Sequence, residues 1–281
     1  MPYTALISNL RALPQETLTS DQREALLSLL DYLEASSPYA LYLLTGYAGT
    51  GKTYLLRSIT EAATRAGLHV ELMASTGRAA KVLAGATGRQ ASTIHRTIYR
   101  ASTQLQEEGG SFQLGRVSAG RPTLFIVDEA SMISGDTGEV TPFGSGNLLD
   151  DLLAYVWSAD ESKLILVGDT AQLPPVGTPL SDALNAEVLT SRYGLEVYGT
   201  ELREVVRQKK GGILHNATQL RELLEDSADL DPEELLPIHL ETEGWRGIFA
   251  VEPGEFINTI DEAYRRYGME ECLVICPSNK K

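Results

Sequence analysis

Short, mainly apolar runs recur along the chain at Ala40–Leu44, Val70–Met73, Leu124–Val127, Leu164–Val167 and Leu273–Cys276. Most are separated by stretches with helical patterning: Lys52–Ala66, Gly77–Ala86 and Asn147–Trp157. A further helix, Thr19–Ala35, precedes the first run, with Leu26, Leu27, Leu29, Leu30 and Leu33 as its apolar stripe. A strand that is apolar at every position has no solvent-facing side. Such strands alternating with helices predict an α/β fold, a parallel sheet covered by helices on both faces. Two segments break the alternation. Gln104–Arg121, rich in Gly and Gln, suits a small β-hairpin or loop inserted into the sheet domain, and Ser134–Gly146, rich in Gly, Thr and Ser, reads as a surface loop. From Gly199 the composition shifts to charged helices, with the acidic stretch Glu222–Glu234 exposed or poorly ordered. No internal repeat is visible.

A length of 281 residues suits one large or two medium domains, and 43% hydrophobic with 22% charged residues excludes collagen-like, mucin-like and wholly disordered chains. Charge complicates the picture. Twenty-four Lys+Arg against 38 Asp+Glu give a net charge of −14, which argues against gripping nucleic acid through bulk positive charge. The charge is unevenly spread, however. Residues 1–120 carry 11 basic and 9 acidic side chains (+2), and residues 121–281 carry 13 and 29 (−16). Leu72 to Gln106 contains Arg78, Lys81, Arg89, Arg96 and Arg100 and no acidic residue. A polyanion can bind there; the alternative is a basic helix face paired with acidic neighbours.

Cys272 and Cys276 are the only cysteines. At i and i+4 in a strand they would lie roughly 13 Å apart, too far for a disulfide. Buried small hydrophobes in a reducing compartment is the expectation. Met1-Pro-Tyr-Thr begins no signal peptide, and no apolar run approaches the ~20 residues of a membrane span. A soluble, cytoplasmic protein with no membrane partner is expected.

Gly46-Tyr-Ala48-Gly49-Thr50-Gly51-Lys52-Thr53 fits the G-x-x-x-x-G-K-[ST] template in full, between a strand and a helix. Its glycines let the backbone wrap a phosphate, with N–H groups and the helix N-terminus aimed at it. Lys52 would neutralise the β/γ-phosphates of ATP, and the Thr53 hydroxyl would ligate Mg²⁺. The alternative is a Gly-rich turn with no ligand.

Leu124-Phe-Ile-Val-Asp128-Glu129 is an apolar strand ending in two carboxylates, 76 positions after Lys52. Asp128 suits Mg²⁺, and Glu129 suits the general base that accepts a proton from the attacking water. A hydrolase is therefore expected rather than a passive nucleotide binder. Leu164-Ile-Leu-Val-Gly-Asp169-Thr-Ala-Gln172 repeats the pattern of buried strand then polar turn. Gln172 both donates and accepts, which suits sensing γ-phosphate or water, and Pro174 and Pro175 stiffen the exit.

These motifs occur in order with Ala74-Ser75-Thr76-Gly77-Arg78, Thr93-Ile-His95-Arg96 and Val206-Arg207-Gln208. Together the set resembles the first six motifs of superfamily 1 DNA helicases of the RecD and Dda type, 5′→3′ motors on single-stranded DNA. The resemblance covers roughly Leu18 to Asn279. It implies a RecA-like P-loop domain over 1–195 with a small inserted hairpin at about 101–121, and an incomplete second RecA-like domain over 196–281. It implies that Gln22 reads the adenine edge, although Thr19-Ser-Asp-Gln22 also fits a helix capping box. Arg207 resembles the arginine that reaches the γ-phosphate, its alternative being a surface ion pair. Ser75, Thr76, Gly77, Arg78, Thr93, His95 and Arg96 match motifs that touch the DNA backbone. Phe112 would be either a stacking tip of the strand-separating wedge or a packing residue.

Such helicases continue beyond a strand like Leu273–Asn279 with two more motifs, so a fragment is expected, binding ATP·Mg²⁺ but lacking parts needed for efficient hydrolysis, translocation and unwinding. The competing readings are a nucleotide-gated DNA- or protein-binding module without unwinding, and an ATPase acting on RNA.

Overall fold

The first four apolar runs become neighbouring strands of one parallel sheet. The computed structural model describes residues 2–101, 112–117, 121–133, 135, 142–172, 175, 180–206, 211–226, 239–245 and 247–276. It divides into two units, Met1–Arg207 and Gln208–Lys281.

In the first unit, β1 (Ala40–Gly46), β2 (His69–Ala74), β3 (Ala91–Thr93), β6 (Thr123–Asp128), β7 (Lys163–Gly168) and β8 (Glu196–Leu202) form a sheet in the order β3-β2-β6-β7-β1-β8. Every pairing in it is parallel. Period two divides each strand between two cores. Tyr42, Leu44, Leu72, Ile126 and Val167 face α1 (Thr4–Arg11), α2 (Ser20–Glu34), α3 (Lys52–Arg65) and α4 (Gly77–Thr87). Leu41, Leu43, Met73, Phe125 and Leu166 face α5 (Ile94–Ile98), α6 (Leu148–Val156) and α7 (Ala186–Ser191). With both faces covered, this is the RecA-like arrangement that the motif resemblance implies for the first unit.

Helix boundaries follow local chemistry. Thr19 caps α2, accepting from the Gln22 N–H at 3.2 Å, and Asn147 caps α6, accepting from the N–H groups of Leu149 and Asp150. Within α2, Leu26, Leu29, Leu30 and Leu33 are buried as expected, but Leu27 points to solvent at 64% exposure. It lies about 100° around the helix from its neighbours, outside the inward arc.

The small hairpin is present. β4 (Tyr99–Ala101) pairs antiparallel with β5 (Phe112–Leu114). Its connection and much of Ser134–Gly146 lie outside the described residues.

Two expectations fail. The predicted boundary at 195/196 would cut β8 away from the sheet, yet β8 pairs with β1 along its whole length from Ala40↔Glu196 to Gly46↔Leu202, and the division falls after Arg207. This edge strand carries Glu196, Thr200 and Glu201 on a half-exposed surface, so no continuous apolar run announces it. The second error is Leu273–Cys276, predicted as a buried strand. It forms no strand; Leu273 and Ile275 are 72% and 85% exposed, and Cys276 is exposed. No strand lies beside it among the described residues, so its backbone has no ladder to join.

The second unit contains α8 (Gly212–Asp226) and α9 (Phe256–Tyr267). Buried Asn216 on α8 fastens the 241 region, its Nδ2 donating to the Glu241 carbonyl at 2.9 Å while its Oδ1 accepts the Glu241 N–H at 2.7 Å.

Candidate active site

The phosphate loop leaves β1 at Gly46 and enters α3 at Lys52. Glycine is required at two positions for separate reasons. A Cβ on Gly46 would stand 2.5 Å from the Leu202 carbonyl oxygen on β8, and one on Gly51, whose φ is +95°, would stand 2.2 Å from Gln22 Nε2. No side chain caps α3. Its first N–H groups therefore open towards the loop, the arrangement that favours an anion. Lys52 Nζ is folded over the mouth, donating to the carbonyls of Gly46 and, at 3.0 Å, Tyr47. Thr50 is buried, whereas Ala48 and Thr53 are exposed.

Sheet order separates the phosphate loop from the acidic pair by one strand. β7 runs between β1 and β6, so its polar exit lies between them. Asp128 and Glu129 follow β6, and Asp169 and Gln172 follow β7. Burial raises the Asp128 carboxyl above the ordinary carboxylate range, opposed by the Glu129 N–H at 3.0 Å and by Lys52. Burial and the charges of Asp128 and Asp169 likewise raise Glu129, while Lys52 and a hydrogen bond from Gln172 pull it back. Glu129 also adopts φ +55°, ψ +42°, a left-handed conformation uncommon outside glycine. The cradle thus sets three carboxylates against the Lys52 ammonium, an acidic balance that a divalent cation beside a polyphosphate would offset. The Thr53 hydroxyl and the Asp128 carboxylate could serve as ligands to a magnesium ion shared with phosphates. The described residues hold no cluster of three or more His, Cys, Asp or Glu able to bind a metal by itself.

Of the two roles that the sequence left open for Gln22, the structure shows the capping role and adds a bond to the phosphate loop. The capping box is formed: its Oε1 accepts the Thr19 N–H at 3.2 Å. Its Nε2 donates to the Thr50 carbonyl at 3.2 Å, so the buried amide braces the phosphate loop. Neighbouring Asp21 was not singled out by any motif. Its Oδ2 accepts the N–H groups of Arg203 at 2.7 Å and Glu204 at 2.8 Å, which hold the carboxyl below its ordinary range. Arg207 itself lies outside the described residues. Asp169 was also missed as a charge in the site, although it follows an apolar strand just as Asp128 does. It is 4% exposed, and its Oδ1 accepts the Ala171 N–H at 3.0 Å.

The residues matched to DNA contacts share this strand edge. Ala74 pairs with Asp128 on one side and with Thr93 on the other, which sets Ser75–Arg78 between the acidic pair and Thr93. Thr76 and Thr93 cap α4 and α5, accepting the N–H groups of Ala79 at 3.2 Å and Arg96 at 3.3 Å. Each hydroxyl keeps its proton available for a phosphate oxygen. Among the described residues, the Ser75 Oγ is buried without a hydrogen-bond partner and Gly77 has open space beside it, while Arg78 and Arg96 are exposed. His95 differs. Its ring packs against Tyr99 at 5.6 Å and Phe143 at 5.1 Å, and burial lowers its pKa. Phe112 stacks on the same Phe143 at 4.7 Å, which gives it a packing role at the base of the hairpin.

The chain is similar to known proteins over much of its length. A family model described as AAA domain matches residues 17–231. The chain is 34% identical over 188 residues to the ATP-dependent RecD2 DNA helicase of Deinococcus radiodurans, covering 67% of this chain and 23% of that protein. It is 29% identical over 210 residues to the ATP-dependent DNA helicase dda of Enterobacteria phage T4, covering 73% and 43%. The crystal structure of the Pif1 helicase from Candida albicans aligns with a TM-score of 0.45 at 22% identity, covering 89% of this chain and 54% of that one. The chain therefore spans less than half the length of these two curated relatives.

Proposed function

The chain belongs to the AAA domain family, and from that premise we propose that it is the ATP-hydrolysing motor portion of a DNA helicase. In this reading it couples ATP·Mg²⁺ hydrolysis to 5′→3′ movement along single-stranded DNA in the cytoplasm, and residues 208–281 begin a second motor domain. The observation that carries the reading is the position of Glu129, held in a left-handed turn among Asp128, Asp169, Lys52 and Gln172.

Lys52 leaves its two loop carbonyls for the β/γ-phosphates, and the uncapped start of α3 receives their charge. Thr53 and Asp128 would hold magnesium, which neutralises charge developing on the transferred phosphoryl group. Glu129 takes the proton of the attacking water; its raised pKa makes it a stronger base than an exposed glutamate. Gln172, bonded towards Glu129 and 3.5 Å from Ser131 Oγ, orients that water. Arg207 serves as the arginine that stabilises transition-state charge. Ser75–Arg78, Thr93 and Arg96 contact the DNA backbone, while His95 and Gln22 act by packing and by bracing.

The direct test is ATPase rate with and without single-stranded DNA. Stimulation by DNA, abolished by Lys52→Ala, is the expected result. A rate indifferent to DNA would sink the helicase reading and leave the nucleotide site intact. Nucleotide-dependent DNA binding without strand separation by the full-length protein would instead favour the gated binding module.

A further inference from the structure

A second basic site lies at the opposite end of the strands from the phosphate loop. A cavity of about 370 Å³ opens under the β4–β5 hairpin and is lined by His69, Glu71, Arg96, Arg100, Arg121 and Tyr155, among others. Thr123, which starts β6, also lines it, whereas Asp128 ends that strand in the catalytic cluster. Five residues at about 3.3 Å each put the two roughly 17 Å apart.

Three arginines and one carboxylate line this cavity. Glu71, the carboxylate on the cavity wall, lies 3.4 Å from His69 Nε2. Among the described residues, no ion pair engages Arg96, Arg100 or Arg121. Arg100 is also pre-set: its Nη1 donates to the carbonyls of Thr97 at 2.8 Å and Tyr99 at 2.9 Å, which fixes the side chain at the end of α5. Three arginines against one carboxylate, with Arg100 held by backbone carbonyls, give this cavity a local basic excess on a protein of net charge −14 and suit it to an anion.

The route into the cavity identifies the anion. β3 covers only Leu72–Ala74 of β2, leaving the edge at His69–Glu71 uncovered by a strand. Arg96 links the two places: it follows the Thr93 cap on the catalytic edge and it lines the cavity. A chain of linked phosphates passing Arg78 and Thr93 can therefore continue over the short β3 edge, whereas a small anion gains nothing from that continuity.

We propose that this cavity is an additional phosphodiester site, in which Arg96, Arg100 and Arg121 hold the backbone of single-stranded DNA beyond the strand edge. The inference rests on the DNA-motor reading and extends the path around the sheet. It assigns binding roles to Arg100 and Arg121, which belong to none of the motifs.

The test compares Arg100→Gln/Arg121→Gln and Arg121→Gln alone with Arg78→Gln, measuring the affinity of a short and a long oligothymidylate across a salt series. Arg121 has no side-chain hydrogen bond among the described residues, so its single variant remains informative if the double variant melts early. The double variant is expected to bind the long oligonucleotide about tenfold more weakly, with a log–log salt slope shallower by about 1.4, near 0.7 per lost phosphate contact. The short oligonucleotide and ATP should bind as before. Unchanged affinity and slope for the long oligonucleotide, with Arg78→Gln impaired, overturns the additional site and leaves the edge path standing. Displacement of the long oligonucleotide from the cavity by equimolar inorganic phosphate would make it a small-anion site and also overturn the proposal. Absence of DNA binding by the unmodified protein overturns both.

Discussion

Val206 donates its backbone N–H to the Gly49 carbonyl oxygen at 2.9 Å, so the segment leaving β8 is fastened to the phosphate loop. The same segment is anchored two and three residues earlier, where Asp21 receives the N–H groups of Arg203 and Glu204. Position 207 follows directly. If Arg207 reaches the γ-phosphate, Asp21 positions it without touching nucleotide. Hydrogen bonds to a charged acceptor are worth about 1.5–3 kcal/mol, the lower end applying at an exposed site. Asp21→Ala is expected to lower kcat for ATP hydrolysis about tenfold, since ~1.4 kcal/mol is one decade, with a smaller change in KM. Asp21→Asn, which keeps one acceptor oxygen, should recover part of the rate. Equal kcat in all three proteins removes Asp21 from the mechanism.

The raised carboxyls of Asp128 and Glu129 make a linked pair of expectations about pH. Folded, each holds its proton to higher pH than in the unfolded chain. Their contribution to stability is therefore complete below the unfolded value and is lost as pH rises through the raised folded value. At neutral pH Glu129→Gln removes a charge that Asp128 and Asp169 repel, so the nucleotide-free variant should melt at a higher temperature than the unmodified protein. Its ATPase rate should fall by at least about 10²-fold through loss of the general base. In the unmodified protein, hydrolysis should decline on acidification at a pH above the ordinary carboxylate range. A Glu129→Gln variant that melts lower would mean the ionised carboxylate is stabilised by contacts not accounted for.

Gln22 yields a test that separates bracing from base recognition. The buried amide closes the capping box and holds the Thr50 carbonyl. Gln22→Ala leaves both partners short and should cost about 1–3 kcal/mol of stability, read as a lower Tm. If the amide acts on the loop alone, ATP and GTP affinities should fall by the same factor. Loss confined to ATP would assign Gln22 the adenine-reading role.

Much of this arrangement was legible because its strands are buried on both faces. A run such as Leu164–Val167 has no polar position to blur it, and the glycines of the phosphate loop admit few alternatives in a strand–helix turn. What stayed hidden was governed by distant partners. β8 reads as a polar, Gly-containing stretch, and its place is set by pairing with β1 over a separation of more than 150 residues. Asp21 looks like any acidic residue in a first helical turn, since its partners lie 182 and 183 positions away. The apolar run at Leu273–Cys276 erred the other way: local pattern was present, but the described residues offer it no adjoining strand.

Thr93 allows the DNA contact to be separated from the fold. Its Oγ1 accepts the Arg96 N–H and caps α5, so a change to valine would disturb helix and ligand together. Aspartate is as good an N-cap as threonine and complements the helix dipole, so Thr93→Asp should keep Tm within about 1 kcal/mol equivalent of the unmodified protein. The same substitution sets a negative charge where a phosphate is expected to pass and removes the hydroxyl proton that would donate to it. Single-stranded DNA should then bind at least tenfold more weakly at low salt, and the deficit should shrink as ionic strength rises and screens the repulsion. ATP binding in the absence of DNA should stay as it was. Retention of full DNA affinity by Thr93→Asp at low salt would show that the strand does not pass the β3 edge, and would redirect the path away from α5.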